Sequence, residues 1–231
     1  MPLTGRAMIG LAPLAVVMLA TGCGDSTTVR LKLSLEIDVY GEIKRASSVF
    51  EQNLYKVIFP ESANRAATTG EALYLDLGES RKPIVALLNL HRGLNYGPWG
   101  TGAALKAYGV EREVTPDGAR LHLKELARMR GVRDVPFDVM PQFVTFANPL
   151  DPTTVEAVDP NDLEASLGSG VKWHRVKIEV TNEDITEGVI EERLPWLKGM
   201  GGGTFLDCKG IGNGATLANT LQRPDFLKDG F

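Results

Sequence analysis

Two cysteines and three histidines are the side chains of this sequence best suited to nucleophilic or metal-binding chemistry. Cys208 could act as a thiolate if an imidazole lay beside it, because that pair recurs in covalent catalysis. His91, His122 and His174 are widely spaced, whereas zinc ligands are usually paired a few residues apart. The sequence contains no H-E-x-x-H or G-x-S-x-G motif. We therefore predict no catalytic and no metal site, and we interpret Cys208 as a small buried apolar residue.

The glycine-rich stretch between residues 199 and 215 has the spacing of a nucleotide-binding motif. Gly210, Gly212 and Ala215 fit the G-x-G-x-x-A form of the dinucleotide fingerprint, in which glycines let backbone amides approach a pyrophosphate. Only 16 residues follow Ala215, too few for the rest of a βαβ unit with its acidic ribose ligand. We expect a turn-rich loop here and no cofactor.

An acidic run between residues 151 and 164 contains oxygen ligands of the kind that Ca²⁺ prefers. Asp159 and Asn161 match the start of an EF-hand loop. However, Glu164 occupies the position of its glycine, and Gly170 occupies that of its closing glutamate. The pattern is more typical of a helix start, with Asp159 as N-cap and Pro160 at the first helical position, followed by a solvated face.

Basic residues cluster between residues 120 and 133, with Glu125 and Asp134 interleaved. The cluster consists of Arg120, Lys124, Arg128, Arg130 and Arg133. Such a patch can contact lipid or lipopolysaccharide phosphates, or it can form an ordinary solvated face, which is the simpler interpretation. The whole chain has a formal net charge of −4, so it has no general attraction for nucleic acid.

Cys23 follows an apolar run close to the start of the sequence. A single charge at Arg6 precedes a run of 14 apolar or small residues, 7–20, which is interrupted by Gly10 and Pro13. A membrane-spanning helix needs about 20 consecutive apolar residues, so this run is too short to be a comfortable span. Its layout is typical of a secretory signal.

The residues before Cys23 resemble the lipobox of bacterial lipoproteins, in which a signal peptidase cuts just before a diacylated cysteine. Ala20, Thr21 and Gly22 provide its small residues, although leucine, the commonest residue at the position of Ala20, stands one place earlier. The resemblance implies that Cys23 carries lipid. An ordinary secretory signal cut elsewhere and an uncleaved anchor are the alternatives.

Lipidation of Cys23 determines the predicted organisation and location of the chain. Residues 1–22 are the signal peptide, 23–28 a lipidated tether and 29–231 a single globular periplasmic domain. One acyl chain holds a protein weakly on a membrane, whereas two or more hold it stably. Gly24 follows the cysteine where an aspartate would favour retention in the inner membrane, so the outer membrane is the more favoured location.

Extended segments with period-two alternation dominate the rest of the chain. The clearest covers residues 29–40, which alternate without interruption as in a strand with one buried face, and Gly41 then permits a hairpin. In the strand at 171–180 we expect Val171 and Trp173 on one face and Val176 on the other. The other predicted strands are 43–59, 71–78 and 84–88, the last buried on both faces, and the predicted loops are 61–70 and 93–103.

The predicted helices are short. One covers residues 159–168 and ends at Gly168, and another covers residues 183–194, ends before Pro195 and is followed by Trp196 as a core plug. The 25 glycines and 13 prolines indicate short elements joined by many turns. We predict an α+β fold that is mainly antiparallel β-sheet, a meander that could close like a barrel, with a few short helices.

The mature chain as a whole resembles a group of small proteobacterial lipoproteins. The resemblance rests on VRLKLSLEIDVYGEIKRASSVFE, on NPLDPTTVEAVDPNDLEASLGSGVKWHRVKIEVT, and on ERLPWL with ATLANTLQRPDFL. The group has no activity to carry over to individual residues. We expect an envelope lipoprotein that is a non-catalytic binding or structural accessory, and a periplasmic hydrolase or a carrier of a small apolar ligand are the alternatives. The expected partners are the membrane, through Cys23, and an envelope protein or glycolipid.

Overall fold

A computed structural model describes residues 26–57, 63–78, 81–90, 99–110, 122–208 and 216–229 of the chain. Within these ranges, ten strands form two sheets, and every pair of neighbouring strands is antiparallel. The strands are β1 (Thr27–Val39), β2 (Glu42–Val57), β3 (Ala63–Glu71), β4 (Leu73–Leu75), β5 (Ile84–Leu90), β6 (Arg133–Asp134), β7 (Pro141–Phe146), β8 (Val155–Ala157), β9 (Val171–Thr181) and β10 (Leu227–Asp229).

The six-stranded sheet has the order β10-β3-β2-β1-β9-β6, with β1 and β2 near its centre. These two strands form a hairpin in which Thr27 lies opposite Leu54 and Val39 lies opposite Glu42. The odd-numbered side chains of β1 from Val29 onward are buried, because successive side chains of a strand alternate between its faces. The predicted strand with one buried face is therefore confirmed.

The four-stranded sheet, of order β4-β5-β7-β8, packs against the buried face of the six-stranded sheet. Its strand β5 is buried on both faces, as predicted. Ile84 and Ala86 belong to the core between the two sheets, whereas Val85 and Leu87 belong to a second core under the C-terminal residues. The four-stranded sheet is thus the middle of three layers.

Short helices contribute side chains to both cores. Trp99 of α1 and Leu126 of α2 belong to the first core, and Ile190 of α4 and Phe226 of α5 belong to the second. The helices are α1 (Trp99–Ala107), α2 (residues 122–126), α3 (Leu163–Leu167), α4 (Val189–Arg193) and α5 (Arg223–Phe226), with 3-10 turns at Phe137–Val139, Pro152–Thr154, Pro195–Gly199 and Leu217–Asn219.

The predicted α+β fold, mainly antiparallel with a few short helices, is confirmed. The predicted meander is divided between two sheets. β1, β2 and β3 are neighbours in the six-stranded sheet, whereas β4 and β5 are neighbours in the four-stranded sheet. Across the described residues each sheet has an open strand order, so closure into a barrel is not confirmed.

The loop predicted at residues 61–70 is wrong for residues 63–70, which belong to β3. The sequence of β3, ANRAATTGE, lacks the alternation of a strand. However, β2 has 16 residues, and its second half pairs with β3. The paired segment runs from Glu51 opposite Thr69 to Val57 opposite Ala63. Pairing with a long neighbour, rather than local propensity, decides the conformation of this segment.

Strand β9 contains a bulge that the sequence prediction missed. Its register with β1 shifts between Glu36, which lies opposite Arg175, and the next residue of β1, which lies opposite Trp173. An extra residue in one strand reverses the alternation beyond it, so Trp173 packs on the same core as Val176. The prediction that these two side chains lie on opposite faces is therefore wrong.

Helix α3 begins later than predicted. Its N-cap is Asp162, whose carboxylate accepts a hydrogen bond from the amide of Ala165 at 3.0 Å. The predicted cap Asp159 instead accepts from the amide of Asn161 at 2.8 Å, within the preceding turn. Gly168 ends the helix as predicted, with a φ of 94°.

Two further predicted boundaries differ from the structure. Residues 99–103 belong to α1 rather than to a loop, and α4 begins only at Val189, after Gly188 with a φ of 82°. The end of α4 before Pro195 is confirmed.

Trp196 is a core plug, as predicted. Its ring centroid lies 5.8 Å from that of Phe146 and 5.6 Å from that of Phe226. Its indole N–H donates to the carbonyl oxygen of Pro149 at 2.9 Å. The tryptophan therefore fixes the loop between β7 and β8 to the second core.

Candidate functional site

The side chains best suited to catalysis lie apart in the described structure. Cys208 is exposed, so the prediction that it is buried is wrong. It lies in the C-terminal layer, which is the layer of C-terminal residues over the second core, and its sulfur is 3.8 Å from the carbonyl oxygen of Phe205. His122 is buried on α2, and His174 is exposed on β9. The predicted residues Cys23, His91, Arg120, Gly210, Gly212 and Ala215 lie outside the described residues.

Glu36 is the centre of a charge cluster on the outer face of the six-stranded sheet. Its carboxylate lies 2.6 Å from Nζ of Lys177, 3.5 Å from Nε2 of His174 and 3.6 Å from Nε of Arg45. The hydrogen bond from Lys177 is the main cause that lowers the pKa of Glu36. A carboxylate held in its charged form by side chains of β2 and β9 is suited to linking β1 to these two strands rather than to proton transfer at neutral pH.

The acidic run at residues 151–164 forms local caps and turns. Asp151 accepts a hydrogen bond from the amide of Thr153 at 2.9 Å, and Asp162 caps α3. Across the described ranges, no group of three or more histidine, cysteine or acidic residues is placed to hold a metal ion.

The last two residues of the predicted tether, Thr27 and Thr28, belong to β1. They lie at an end of the six-stranded sheet that we call the anchor end. Cys23 precedes Thr27 by four positions, and four residues span at most about 14 Å. A lipid on Cys23, as predicted, would therefore keep the anchor end close to the membrane. A cleft of about 240 Å³ opens there, lined by Thr28, Val29, Arg30, Glu51, Ala127, Val180, Thr181 and Asn182.

Residues 127–133, which we call the basic loop, lie beside this cleft. Tyr108 positions the loop, because its hydroxyl donates to the carbonyl oxygen of Gly131 at 2.5 Å and accepts from the amide of Val180 at 3.2 Å. The guanidinium of Arg133 lies over the ring of Tyr108, 5.1 Å from its centroid. The exposed side chains of the loop are Arg128, Arg130, Val132 and Arg133.

The opposite end of the sheet, which we call the hairpin end, has an exposed aromatic residue that sequence reasoning missed. Tyr40 follows β1, is 72% exposed and has a φ of 51°, which is uncommon outside glycine. Its amide donates to the carbonyl oxygen of Gly170 at 2.9 Å. The ring packs so closely on Gly170 that a Cβ atom there would lie 2.4 Å from it.

Arg81 connects this aromatic residue to the chain after α3. Its guanidinium carbon lies 4.9 Å from the centroid of the Tyr40 ring. It also donates to the carbonyl oxygens of Leu167 at 3.3 Å and Ser169 at 3.0 Å. The turn glycine Gly41 was a sequence signal for the position of Tyr40, but nothing in the sequence indicated that Arg81 would meet it.

Residues 182–188, which we call the strap, cross the outer face of the six-stranded sheet from β9 to β2. Lys32 of β1 donates to the carboxylate of Glu183 at 2.6 Å. The amide of Thr186 then donates to the carbonyl oxygen of Val49 at 2.9 Å. The strap thereby leads the chain from one side of the molecule to helix α4 on the other.

Glu71, at the end of β3, is a fully buried carboxylate beside the end of the strap. It is 0% exposed, and its Oε1 atom accepts a hydrogen bond from the amide of Val189 at 3.1 Å. Among the described residues, Oε2 has no hydrogen-bond donor. Burial raises the pKa of Glu71, and the amides at the start of α4 only partly oppose this rise.

Replacing Glu71 by glutamine is expected to remove a pH dependence of stability. The folded-state pKa of Glu71 lies above its ordinary value of 4.5, so the folded chain binds this proton more tightly than the unfolded chain does. Glu71 therefore lowers the free energy of unfolding of the wild type as the pH rises from the ordinary pKa of the carboxyl group to its folded-state pKa. Above the folded-state pKa, the stability lost through Glu71 no longer changes with pH. Glutamine does not titrate, so the stability of Glu71→Gln relative to the wild type rises over the same window.

Urea unfolding at a series of pH values measures this difference. Glu192→Gln is the matched control, because Glu192 is exposed on the same helix that Glu71 approaches. We expect the control to follow the wild type at every pH. Parallel pH curves for the wild type and Glu71→Gln would contradict the prediction.

No helix in the described part of the chain combines the length and the apolar character needed to cross a bilayer. Comparison with protein-family models, with curated proteins and with solved structures found no match. The resemblance to small proteobacterial lipoproteins therefore stays a prediction from the sequence.

Proposed function

We propose that this protein is a lipoprotein of a bacterial cell envelope, anchored by acylated Cys23 and facing the periplasm, that binds another envelope component without catalysing a reaction. The residue after the cysteine, Gly24, favours the outer membrane. The observation that carries the proposal is the course of β1, which begins next to the tether and ends at the exposed Tyr40.

Strand β1 connects the anchor end to the hairpin end through the interior of the sheet. Its 13 residues, at about 3.3 Å each, place the hairpin end about 40 Å from Thr27. Hydrogen bonding to β2 on one side and β9 on the other prevents β1 from bending independently. A domain tethered at Cys23 would therefore hold Tyr40 at a fixed distance from the end of its tether.

The hairpin end has the chemistry of a protein-binding surface. Tyrosine and arginine are enriched among the residues that contribute most to protein interfaces. Contacts with Arg81 and Gly170 already restrict the ring of Tyr40, so its ordering on binding loses little entropy. The positive φ of Tyr40 follows from the two-residue hairpin turn that it forms with Gly41, and this turn makes the ring project from the end of the sheet. We therefore propose an envelope protein as the partner.

The two alternative functions have less support. A hydrolase with a thiol nucleophile needs an imidazole beside it, but Cys208 lies in the C-terminal layer and His174 on the outer face of the six-stranded sheet. A carrier needs an apolar cavity between the sheets. Core side chains such as Leu35 and Phe143 occupy that space in the described structure.

Photocrosslinking in intact envelopes tests the proposed partner. A benzophenone-bearing phenylalanine analogue replaces Tyr40, and the same analogue at Phe137 serves as the control. Phe137 is also exposed, at 51%, but it lies on the β6 side of the sheet. Irradiation is expected to give a covalent adduct from Tyr40 that is several-fold more abundant than from Phe137, with mass spectrometry identifying one envelope protein.

Three outcomes are distinguishable in this experiment. A protein adduct specific to Tyr40 supports the proposal, whereas an adduct with a glycolipid would replace the protein partner by a lipid one. Equal adducts from both positions, or none from Tyr40, would contradict a binding surface at the hairpin end.

A further inference from the structure

We propose that the basic loop, residues 127–133, docks on anionic lipid headgroups of the membrane that holds the tether. The domain would then stand on its anchor end, with the hairpin end directed into the periplasm. This inference rests on the proposed acylation of Cys23, and it assigns a negatively charged lipid surface as the ligand of the basic loop.

The length of the tether keeps the basic loop close to the headgroups. Ala127, the first residue of the loop, lines the same cleft as Thr28 and Val29 at the start of β1. The four positions from Cys23 to Thr27 span at most about 14 Å, so an acylated Cys23 limits how far the start of β1 and the adjoining loop can move from the headgroups. Within one Debye length of the surface, about 8 Å at physiological ionic strength, the charges of the loop are only partly screened.

The arginines of the loop carry charge that the described structure does not neutralise. Within the described ranges, Arg128, Arg130 and Arg133 form no ion pair with a carboxylate. Arg130 donates to backbone carbonyl oxygens, and Arg133 stacks on Tyr108. Two acidic residues flank the loop in sequence: Glu125, exposed one turn before Arg128, and Asp134, whose carboxylate lies 3.5 Å from Nε of Arg175. The loop thus has a net positive charge.

Two further cations of the anchor end whose side chains the structure describes are already paired. Arg30 lies 3.0 Å from the carboxylate of Glu51 and 3.4 Å from that of Asp184, and Lys32 lies 2.6 Å from that of Glu183. Their charges are largely compensated, so the attraction for lipid phosphate comes from the basic loop. The positive charge of the basic loop, which the described structure leaves unpaired, therefore lies at the anchor end and on the side of the sheet where β6 is the edge strand.

Val132 gives the loop an apolar tip between its charges. Its side chain is 48% exposed and lies between Arg130 and Arg133 in the sequence. An apolar group flanked by guanidinium groups matches a membrane interface, because the apolar group can enter the acyl boundary while the cations stay at the phosphates. Each cation close to an anionic surface strengthens binding by about fivefold.

Spin labelling of the mature protein isolated from membranes tests this docking. A label is attached to Val132→Cys in a Cys208→Ser background, and Phe137→Cys, of similar exposure, is the matched control in the 3-10 turn after β6. The protein is reconstituted into phosphatidylcholine vesicles with or without phosphatidylglycerol. Flotation measures attachment, and collision of the label with a water-soluble nickel complex measures its exposure to water.

The expected result is flotation with both kinds of vesicle and a several-fold loss of nickel collisions at position 132 in the anionic vesicles alone. Flotation with both lipids and equal collisions in both would overturn the docking and leave the anchor intact. Flotation with anionic vesicles alone would overturn the anchor and support the docking. Protein that floats with neither would overturn both proposals.

A charge reversal identifies the residues responsible. Arg128→Glu is expected to lower the ratio of docked to undocked protein in anionic vesicles by at least about fivefold. The side chain of Arg128 is exposed, so the fold should tolerate the change. Lys172→Glu, also at an exposed position but at the hairpin end, should leave the ratio unchanged. Equal effects of the two variants would overturn the assignment to the basic loop.

Discussion

Replacing Gly70 by alanine is expected to lower the free energy of unfolding by about 3 kcal/mol or more, from backbone strain and overpacking together. Gly70 has a φ of 132°, which L-amino acids rarely adopt. A Cβ atom at this position would also lie 2.7 Å from Cβ and 2.9 Å from Cα of Phe50. Because Cα belongs to the backbone of β2, a side-chain rotation cannot relieve the contact. Strand β3 would have to move away from Phe50, which is 1% exposed in the core.

Gly78→Ala is the matched control for this prediction. Gly78 has a φ of 112°, but a Cβ atom there would have no neighbour within 4 Å. The control therefore includes the backbone strain, about 1–3 kcal/mol, without the steric contact. Urea unfolding followed by tryptophan fluorescence measures both variants. Equal losses of stability in Gly70→Ala and Gly78→Ala would show that the approach of β3 to Phe50 is not as close as described.

The parts of the fold that were predictable have a local signal. Strand β1 alternates over its whole length, and the C-terminal end of α3 has a glycine, so both were predicted. β3 was missed because its small residues carry no period, and its conformation depends on an edge provided by β2. The bulge in β9 had a signal that strict alternation overlooked, since the apolar residues Trp173 and Val176 are three positions apart.

The candidate sites were predictable only in part. The basic cluster was visible in the sequence, but its position beside the start of β1 follows from contacts of Tyr108 with distant segments. The meeting of Tyr40 with Arg81 joins a hairpin turn to a loop about forty positions away. Sequence periodicity contains no information on such pairs, because they depend on how the two sheets pack.

Replacing Cys23 by serine is expected to abolish lipid incorporation and to leave the protein at its larger precursor size. The lipobox interpretation requires a thiol at this position, both for acylation and for cleavage before it. Each buried methylene of an acyl chain contributes roughly 0.8 kcal/mol to membrane binding, so loss of the chains removes the stable attachment. Labelling with a radioactive fatty acid, electrophoresis and membrane fractionation measure these effects.

Cys208→Ser is the control for this experiment, because it removes the other cysteine of the sequence. The control should incorporate lipid, be processed and fractionate with membranes like the wild type. Unchanged size and fractionation of Cys23→Ser would contradict the proposed anchor.

The most direct test of the anchor is the intact mass and N-terminal sequence of the mature protein isolated from membranes. The proposal predicts a chain that begins at Cys23 and carries two or three acyl chains on that residue. A mature chain that begins at any other residue, or a Cys23 with an unmodified thiol, would contradict it.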